Sequence, residues 1–274
     1  MQASDVASAM RLKEAAGWNQ TSMDWERLLR LEPDGCFVDE REGVIAGSAT
    51  ALRHGSDLAW IGMVLVLPEF RRRGIARGLM RHCLRWLADR GIRVSRLDAT
   101  DMGRPLYVEL GFRDEAFVER WERPPVAAHA AERRLDEDPA AFSEAEAALD
   151  QSAHGYDRSA LMRDLATDGS VERIRSASGF ACGRPGSGAW FLGPCAAVSE
   201  DAAGSLVARL LRGHESQRIF WDFLPSNGCA ARLARRLGFR RIRRLVRMVR
   251  EEEGGSAPRG RPDRVYATAG FEFG

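Results

Sequence analysis

An α/β chain built from two similar halves is predicted by three observations. An apolar run over 61–67, closed by Pro68, is too short for a membrane span and has the length and punctuation of a buried strand. It turns through Arg71, Arg72, Arg73 and Gly74 into a segment whose apolar residues, Leu79, Cys83, Leu84, Trp86 and Leu87, share one helix face. Leu237-Gly238-Phe239 then repeats Leu110-Gly111-Phe112 at an offset of 127 residues. At 274 residues, a prior of one domain per roughly 150 residues suggests two domains, and 45% hydrophobic residues can fill a core in both.

Taken in order, 6–16 reads as a short amphipathic helix leading into Gly17-Trp18-Asn19-Gln20-Thr21. Ser22 is the N-cap expected for a second helix carrying Met23, Trp25, Leu28 and Leu29. Pro33-Asp34-Gly35 is a turn, and 36–38 and 44–52 are strands on either side of the charged hairpin 39–43. After the buried strand and its helix, Gly91 closes the helix and 94–97 begins another strand.

The turn between strand and helix carries chemistry. The first N–H groups of a helix have no intrahelical partner, and the helix dipole favours negative charge there. Gly74 permits close approach of an anion, and three arginines raise the local potential. This is a phosphate cradle, but not a Walker loop, because no Gly-Lys-Ser/Thr follows. The spacing Arg71-x-x-Gly74-x-Ala76 after a buried strand resembles the acetyl-CoA signature of the GNAT acetyltransferases. A second stretch, 97–112, resembles the family's helix that ends in Tyr-x-x-x-Gly-Phe, with Tyr107 on the tyrosine position. The resemblance covers 60–112 by motif and extends to about 125 by element order. It implies a mixed, mostly antiparallel central sheet flanked by helices.

That resemblance implies acetyl-CoA as co-substrate and no metal. The pantetheine arm would lie along Met63, Val64, Leu65 and Val66, and the pyrophosphate would rest on Arg71, Arg72, Arg73, Gly74, Ile75, Ala76 and Arg77. Thr100, Gly103, Arg104 and Tyr107 would complete the cofactor contacts. The N–H near Leu65 would stabilise the developing oxyanion, and the Tyr107 phenol would protonate the departing thiolate. The general base is unassigned among Asp57, Glu40 and Asp98, each of which also reads as a turn or surface carboxylate. Trp18, Asn19 and Trp25 read either as core packing and capping or as an aromatic wall for a small, cationic acceptor. His54 reads as a surface histidine.

Pro124-Pro125 and the Ala-rich charged stretch to Pro139 read as a linker between a catalytic domain, 1–130, and a second domain, 140–274. At the offset of 127, Asn227 meets Thr100, Leu233 meets Leu106 and Leu192 meets Leu65. The helix-like stretch 208–211 and the strand-like stretch 219–223 also fall in step, so a second GNAT-like fold is expected. Its chemistry is missing: Ala234 stands for Tyr107, and Val198, Ser199, Glu200 and Asp201 stand for the arginine turn. Carboxylates there suit a helix N-terminus and repel a pyrophosphate. The expectation is a degenerate domain in a tandem protein.

The alternation of arginine and apolar residues over 240–250 suits a strand with one wet face, and the absence of interleaved aromatics disfavours nucleic acid. The stretch 251–262 reads as a flexible polar linker and 265–271 as a last strand. The net charge of +2 implies no polyanionic partner. Cys36, Cys83, Cys182, Cys195 and Cys229 are scattered, without a Cys-x-x-Cys pair, and are expected as reduced thiols. With no leader and no run of eighteen apolar residues, a cytoplasmic protein is expected. The reading is acetyl transfer to the primary amine of a small molecule. The alternatives are an acyl-CoA sensor or partner-binding scaffold, and an enzyme acting on protein N-termini or lysines. Monomer and homodimer both remain open.

Overall fold

The computed structural model describes residues 1–126 and 141–274. Most of the proline-marked linker therefore lies outside the described residues. The chain forms two compact units: Met1–Glu115, Arg247–Ala257 and Phe271–Gly274 make unit 1, and Ala116–Val246 with Pro258–Gly270 makes unit 2. A division of the chain at the linker is consecutive; these units are not.

Unit 1 opens with helices α1 (Val6–Ala15) and α2 (Ser22–Leu31). The cap of α2 is Thr21, one residue earlier than expected: Asp24 reaches back to accept from the Thr21 N–H at 2.8 Å, so the capping box fixes the boundary. Strands β1 (Cys36–Arg41), β2 (Val44–His54) and β3 (Leu58–Val66) pair antiparallel in succession. Helix α3 (Ile75–Ala88) returns the chain to β4 (Val94–Ala99), which pairs parallel with β3. Its apolar face buries Ile75, Leu79, Met80, Cys83, Trp86 and Leu87. Short α4 (Arg104–Glu109) precedes β5 (Arg113–Arg123), most of which is counted in unit 2.

Unit 2 repeats the pattern. Helices α5 (Glu144–His154) and α6 (Ser159–Thr167) are followed by β6 (Glu172–Ser176), β7 (Gly179–Arg184) and β8 (Trp190–Ala197), antiparallel in succession. Helix α7 (Glu200–Leu210) leads to β9 (Ile219–Phe223), parallel to β8. Helix α8 (Gly228–Arg236) and β10 (Arg240–Glu251) follow. Its core gathers Trp121, Trp190, Trp221, Phe223 and Phe239 around the apolar face of α7.

The strand after each Gly-Phe pair does not extend its own half. From Ala116 on, β5 belongs to unit 2, where it pairs antiparallel with β9. From Arg247 on, β10 belongs to unit 1, beside β4. The β10 arginines are answered by carboxylates: Arg241 and Arg244 bind Glu119, Arg240 binds Glu122 and Arg247 binds Asp98. A row so neutralised leaves little field for a nucleic acid.

The stretch 251–262 is tied down, against the flexible linker expected. Glu252 N–H donates to the Arg93 carbonyl at 2.8 Å, Ala257 N–H to Glu251 at 2.7 Å and Arg261 N–H to the Ala153 carbonyl at 2.9 Å. The last strand, β11, is shorter than expected, Val265–Ala267, and pairs with β8. All five cysteines are free. Among the described residues no helix is long and apolar enough to cross a membrane, and no cluster of His, Cys, Asp or Glu could hold a metal.

Candidate active site

The site is built on an irregularity in β3. Ser48 of β2 faces Leu65 while Thr50 faces Gly62, so β3 carries one extra residue at this point. Met63 takes the strain with φ 51°, and the buried Ser48 hydroxyl donates to its carbonyl at 2.8 Å. On its other side β3 pairs with β4 only through Leu58, Ala59 and Trp60. Beyond Trp60, among the described residues, no strand takes up the β4-facing edge over 61–66. An unpaired strand edge is a template for an extended, amide-bearing ligand. Met63, Val64, Leu65 and Val66 lie on it, and the Leu65 N–H follows the bulge.

At the end of β3 the chain runs through 67–74 before α3. Arg71, Arg72, Arg73 and Gly74 are all exposed. Arg72 and Gly74 have φ of 62° and 81°, and the N-cap, Gly74, offers no side chain to the first turn of α3. The N–H groups of Ile75, Ala76 and Arg77 are thus left without a side-chain acceptor, the arrangement that receives an anion. Arg71 Nε donates to the Val66 carbonyl at 3.2 Å, and Arg73 lies over the Phe70 ring at 5.2 Å. Arg77 pairs with Glu109 and Arg104 with Asp114, so a phosphate would compete for these two.

Tyr107 is buried on α4. Burial pushes its phenol pKa above the ordinary value near 10. Two contacts orient the ring. Phe112 packs edge-on at 6.1 Å, and a Cβ at Gly103 would sit 2.9 Å from the ring, so only glycine fits there. Thr100 Oγ1 accepts from Gly103 N–H at 3.2 Å and fixes the start of α4. The nearby Cys83 is no rival nucleophile, because burial pushes its thiol up to about 12.

The other expected residues differ in exposure and partners. Trp25 is fully buried, Trp18 is half-buried and Asn19 is buried. His54 is not at the surface: its Nε2 donates to the Phe273 carbonyl at 2.9 Å. Asp98 is not a surface carboxylate either, since its buried side chain binds Arg247 through both oxygens at 2.9 and 3.0 Å. Glu40 and Asp57 are exposed near hairpin turns. Sequence reasoning passed over Ser48 and Glu272. A hydroxyl on an apolar strand carries no local signal, and Glu272 meets its partner Gln20 across 252 residues of chain.

In the second half, strands β8 and β9 part as β3 and β4 do, after Leu192 and Trp221. By this register Leu192 answers Trp60, not Leu65 as the constant offset implied. The offset breaks because only Val198 and Ser199 separate β8 from α7, against 67–74 in the first half. There is no arginine loop to lose. Ser199 caps α7 by accepting from Ala202 N–H at 3.2 Å, and Glu200 binds Arg232 and Arg236. The opening itself is filled by β11: Val265 and Ala267 pair with Ala196 and Cys195, and Thr268 N–H donates to the Asp222 carbonyl at 2.8 Å. Trp221 Nε1 donates to the Tyr266 carbonyl at 2.8 Å, and Asn227, the counterpart of Thr100, donates to the Val265 carbonyl at 2.9 Å.

Comparison with known proteins finds similarity in both halves of the chain. The family model described as "Acetyltransferase (GNAT) family" matches 7–112, and that described as "Acetyltransferase (GNAT) domain" matches 147–267. The chain is 29% identical over 220 residues to the uncharacterised N-acetyltransferase YitH of Bacillus subtilis, across 77% of this chain and 76% of that one. It is 28% identical over 102 residues to the aminoglycoside N(6')-acetyltransferase type 1 of Salmonella typhimurium, across 33% of this chain and 70% of the other. The crystal structure of an acetyltransferase-family protein from Pyrococcus horikoshii superposes with a TM-score of 0.84 at 21% identity, over 100% of this chain and 94% of that one. A tandem GNAT protein from the clavulanic acid biosynthesis pathway superposes at 0.60 with 16% identity, over 92% of this chain and 97% of that one. With a match in each half, the chain belongs to the GNAT acetyltransferases and is a tandem member of that family.

Proposed function

We propose that the first half, 1–130, transfers an acetyl group directly from acetyl-CoA to the primary amine of a small molecule, and that the second half, 140–274, holds no acyl-CoA. The observation that carries this reading is the open edge of β3 beyond Trp60. It has the Met63 bulge at its middle, an uncapped α3 N-terminus beyond its end and a buried phenol among the residues assigned to the site.

Acetyl-CoA would supply the activated acetyl group as a thioester. The 63–66 edge would pair with the pantetheine amides, and the first N–H groups of α3 with Arg71, Arg72 and Arg73 would hold the pyrophosphate. The Leu65 N–H would receive the carbonyl oxygen as it gains charge. As the amine nitrogen bonds to the acetyl carbon and the C–S bond breaks, Tyr107 would give its proton to the sulfur, to be replaced by the proton the amine gives up. The name of the Salmonella relative, an enzyme of aminoglycosides, favours an amine acceptor.

Calorimetric titration of the full chain with acetyl-CoA tests the reading. One site per chain is expected. Two sites would overturn the assignment of the second half, and none would overturn the acetyltransferase reading.

A further inference from the structure

The bulge in β3 is held at both of its ends. Before it, Gly62 lies against the backbone of Glu272: a Cβ there would be 3.0 Å from the Glu272 carbonyl oxygen. After it, the Leu65 carbonyl packs on β2, where a Cβ at Gly47 would stand 2.9 Å from it. Between these anchors Met63 is buried, with φ 51°. A side chain of that size adopts such a backbone only where its surroundings impose it.

The group that meets the strained peptide is a hydroxyl. Ser48 on β2 is 0% exposed, and its Oγ donates to the Met63 carbonyl at 2.8 Å. Thr50, two residues on and on the same face of β2, is buried as well, yet among the described residues its hydroxyl has no hydrogen-bond partner. Of these two hydroxyls, it is Ser48 that grips the bulge. The Met63–Val64 peptide is trans, so its carbonyl and its N–H point in opposite directions. By drawing the carbonyl towards β2, the Ser48 hydroxyl turns the Val64 N–H the other way, to the side where β4 no longer pairs beyond Trp60.

We propose that Ser48 is a positioning residue for the acyl group: by holding the Met63 peptide it aims the Val64 N–H, beside that of Leu65, at the carbonyl oxygen of the bound thioester. This rests on the acetyl-CoA reading of the first half and adds the side chain that sets its oxyanion donors. Ser48 acts through the backbone and takes no part in proton transfer. A donor aimed in advance needs no reorganisation as the carbonyl gains charge.

The test is isotope-edited infrared spectroscopy of the full chain with acetyl-CoA labelled by carbon-13 at the acetyl carbonyl. Calorimetry with CoA, which has no acetyl group, runs alongside. In the parent the labelled carbonyl band should lie at lower frequency than in solution, because the N–H donors polarise it. Ser48→Ala should lose most of that shift, Ser48→Thr, which keeps a hydroxyl, should retain it, and Thr50→Val should leave it unmoved. All three variants should bind CoA within about twofold of the parent, which checks the fold. The same shift in Ser48→Ala as in the parent, no shift in Ser48→Thr, or an equal loss in Thr50→Val would each overturn the proposal. Loss of CoA binding by Ser48→Ala would make the hydroxyl a support of the fold and overturn it too. No acetyl-CoA binding by the parent would sink the reading of the first half and this inference with it. Binding by the parent without a shifted band would sink this inference alone.

Discussion

Tyr107, proposed as the proton donor to sulfur, sits in surroundings that suit that role. It is buried, packed against Gly103 and Phe112, and pushed towards its neutral form by its surroundings. A phenol with a raised pKa remains a proton donor throughout the range in which a thiolate leaves. Tyr107→Phe should therefore lower kcat by about a hundredfold and leave the KM for acetyl-CoA unchanged. In the parent, kcat should show no alkaline limb from this residue up to about pH 9, because its pKa is raised and the proton is lost only above the ordinary value of about 10. Full turnover by the phenylalanine variant across the pH range would remove the acid role. The tyrosine was legible in the sequence because its spacing to Gly111-Phe112 is local. The partner of Gln20 was not, because no local pattern points across the chain to Glu272.

At the scale of elements, the two halves differ in one loop and one strand. Where 67–74 wraps the α3 N-terminus in the first half, α7 follows β8 almost at once and is capped by its own Ser199. Where the β3 edge is open, the β8 edge is occupied by β11. The missing tyrosine at Ala234 and the acidic first turn of α7 were visible in the sequence. The shortened loop was hidden by an offset taken as constant, and the filling by β11 depends on pairing across nearly seventy residues. Pairing also decides Asp98. As a carboxylate on β4 it was eligible as a base, but it is committed to Arg247 with its side chain 0% exposed. Asp98→Asn should leave the arginine buried without its charge and cost about 3 kcal/mol, read from urea denaturation. The shape of the pH–rate profile should not change. A lost acid limb in that variant would return Asp98 to the list of bases.

At the scale of the whole molecule, each compact unit is assembled from separate segments of the chain. Unit 1 includes Arg247–Ala257 and Phe271–Gly274, and unit 2 includes most of β5. A fragment ending at residue 126 would lack Arg247 for Asp98 and the Phe271–Gly274 cover of Trp60 and Gly62. Such a fragment should show no cooperative thermal transition by circular dichroism and no acetyl-CoA binding. A sharp melt with binding would mean that the first half is self-sufficient. By itself the sequence determined the elements, the repeat, the arginine–glycine turn before α3 and the place of Tyr107 ahead of Gly111-Phe112, because periodicity, caps and motif spacing are set by residues within a few turns of one another. Only the tertiary structure decided that the Met63 bulge opens β3, that β11 closes the second opening and that Glu272 joins Gln20. Those outcomes depend on which strands pair and in what register, and the winning partner lies far along the chain, where no local pattern records it.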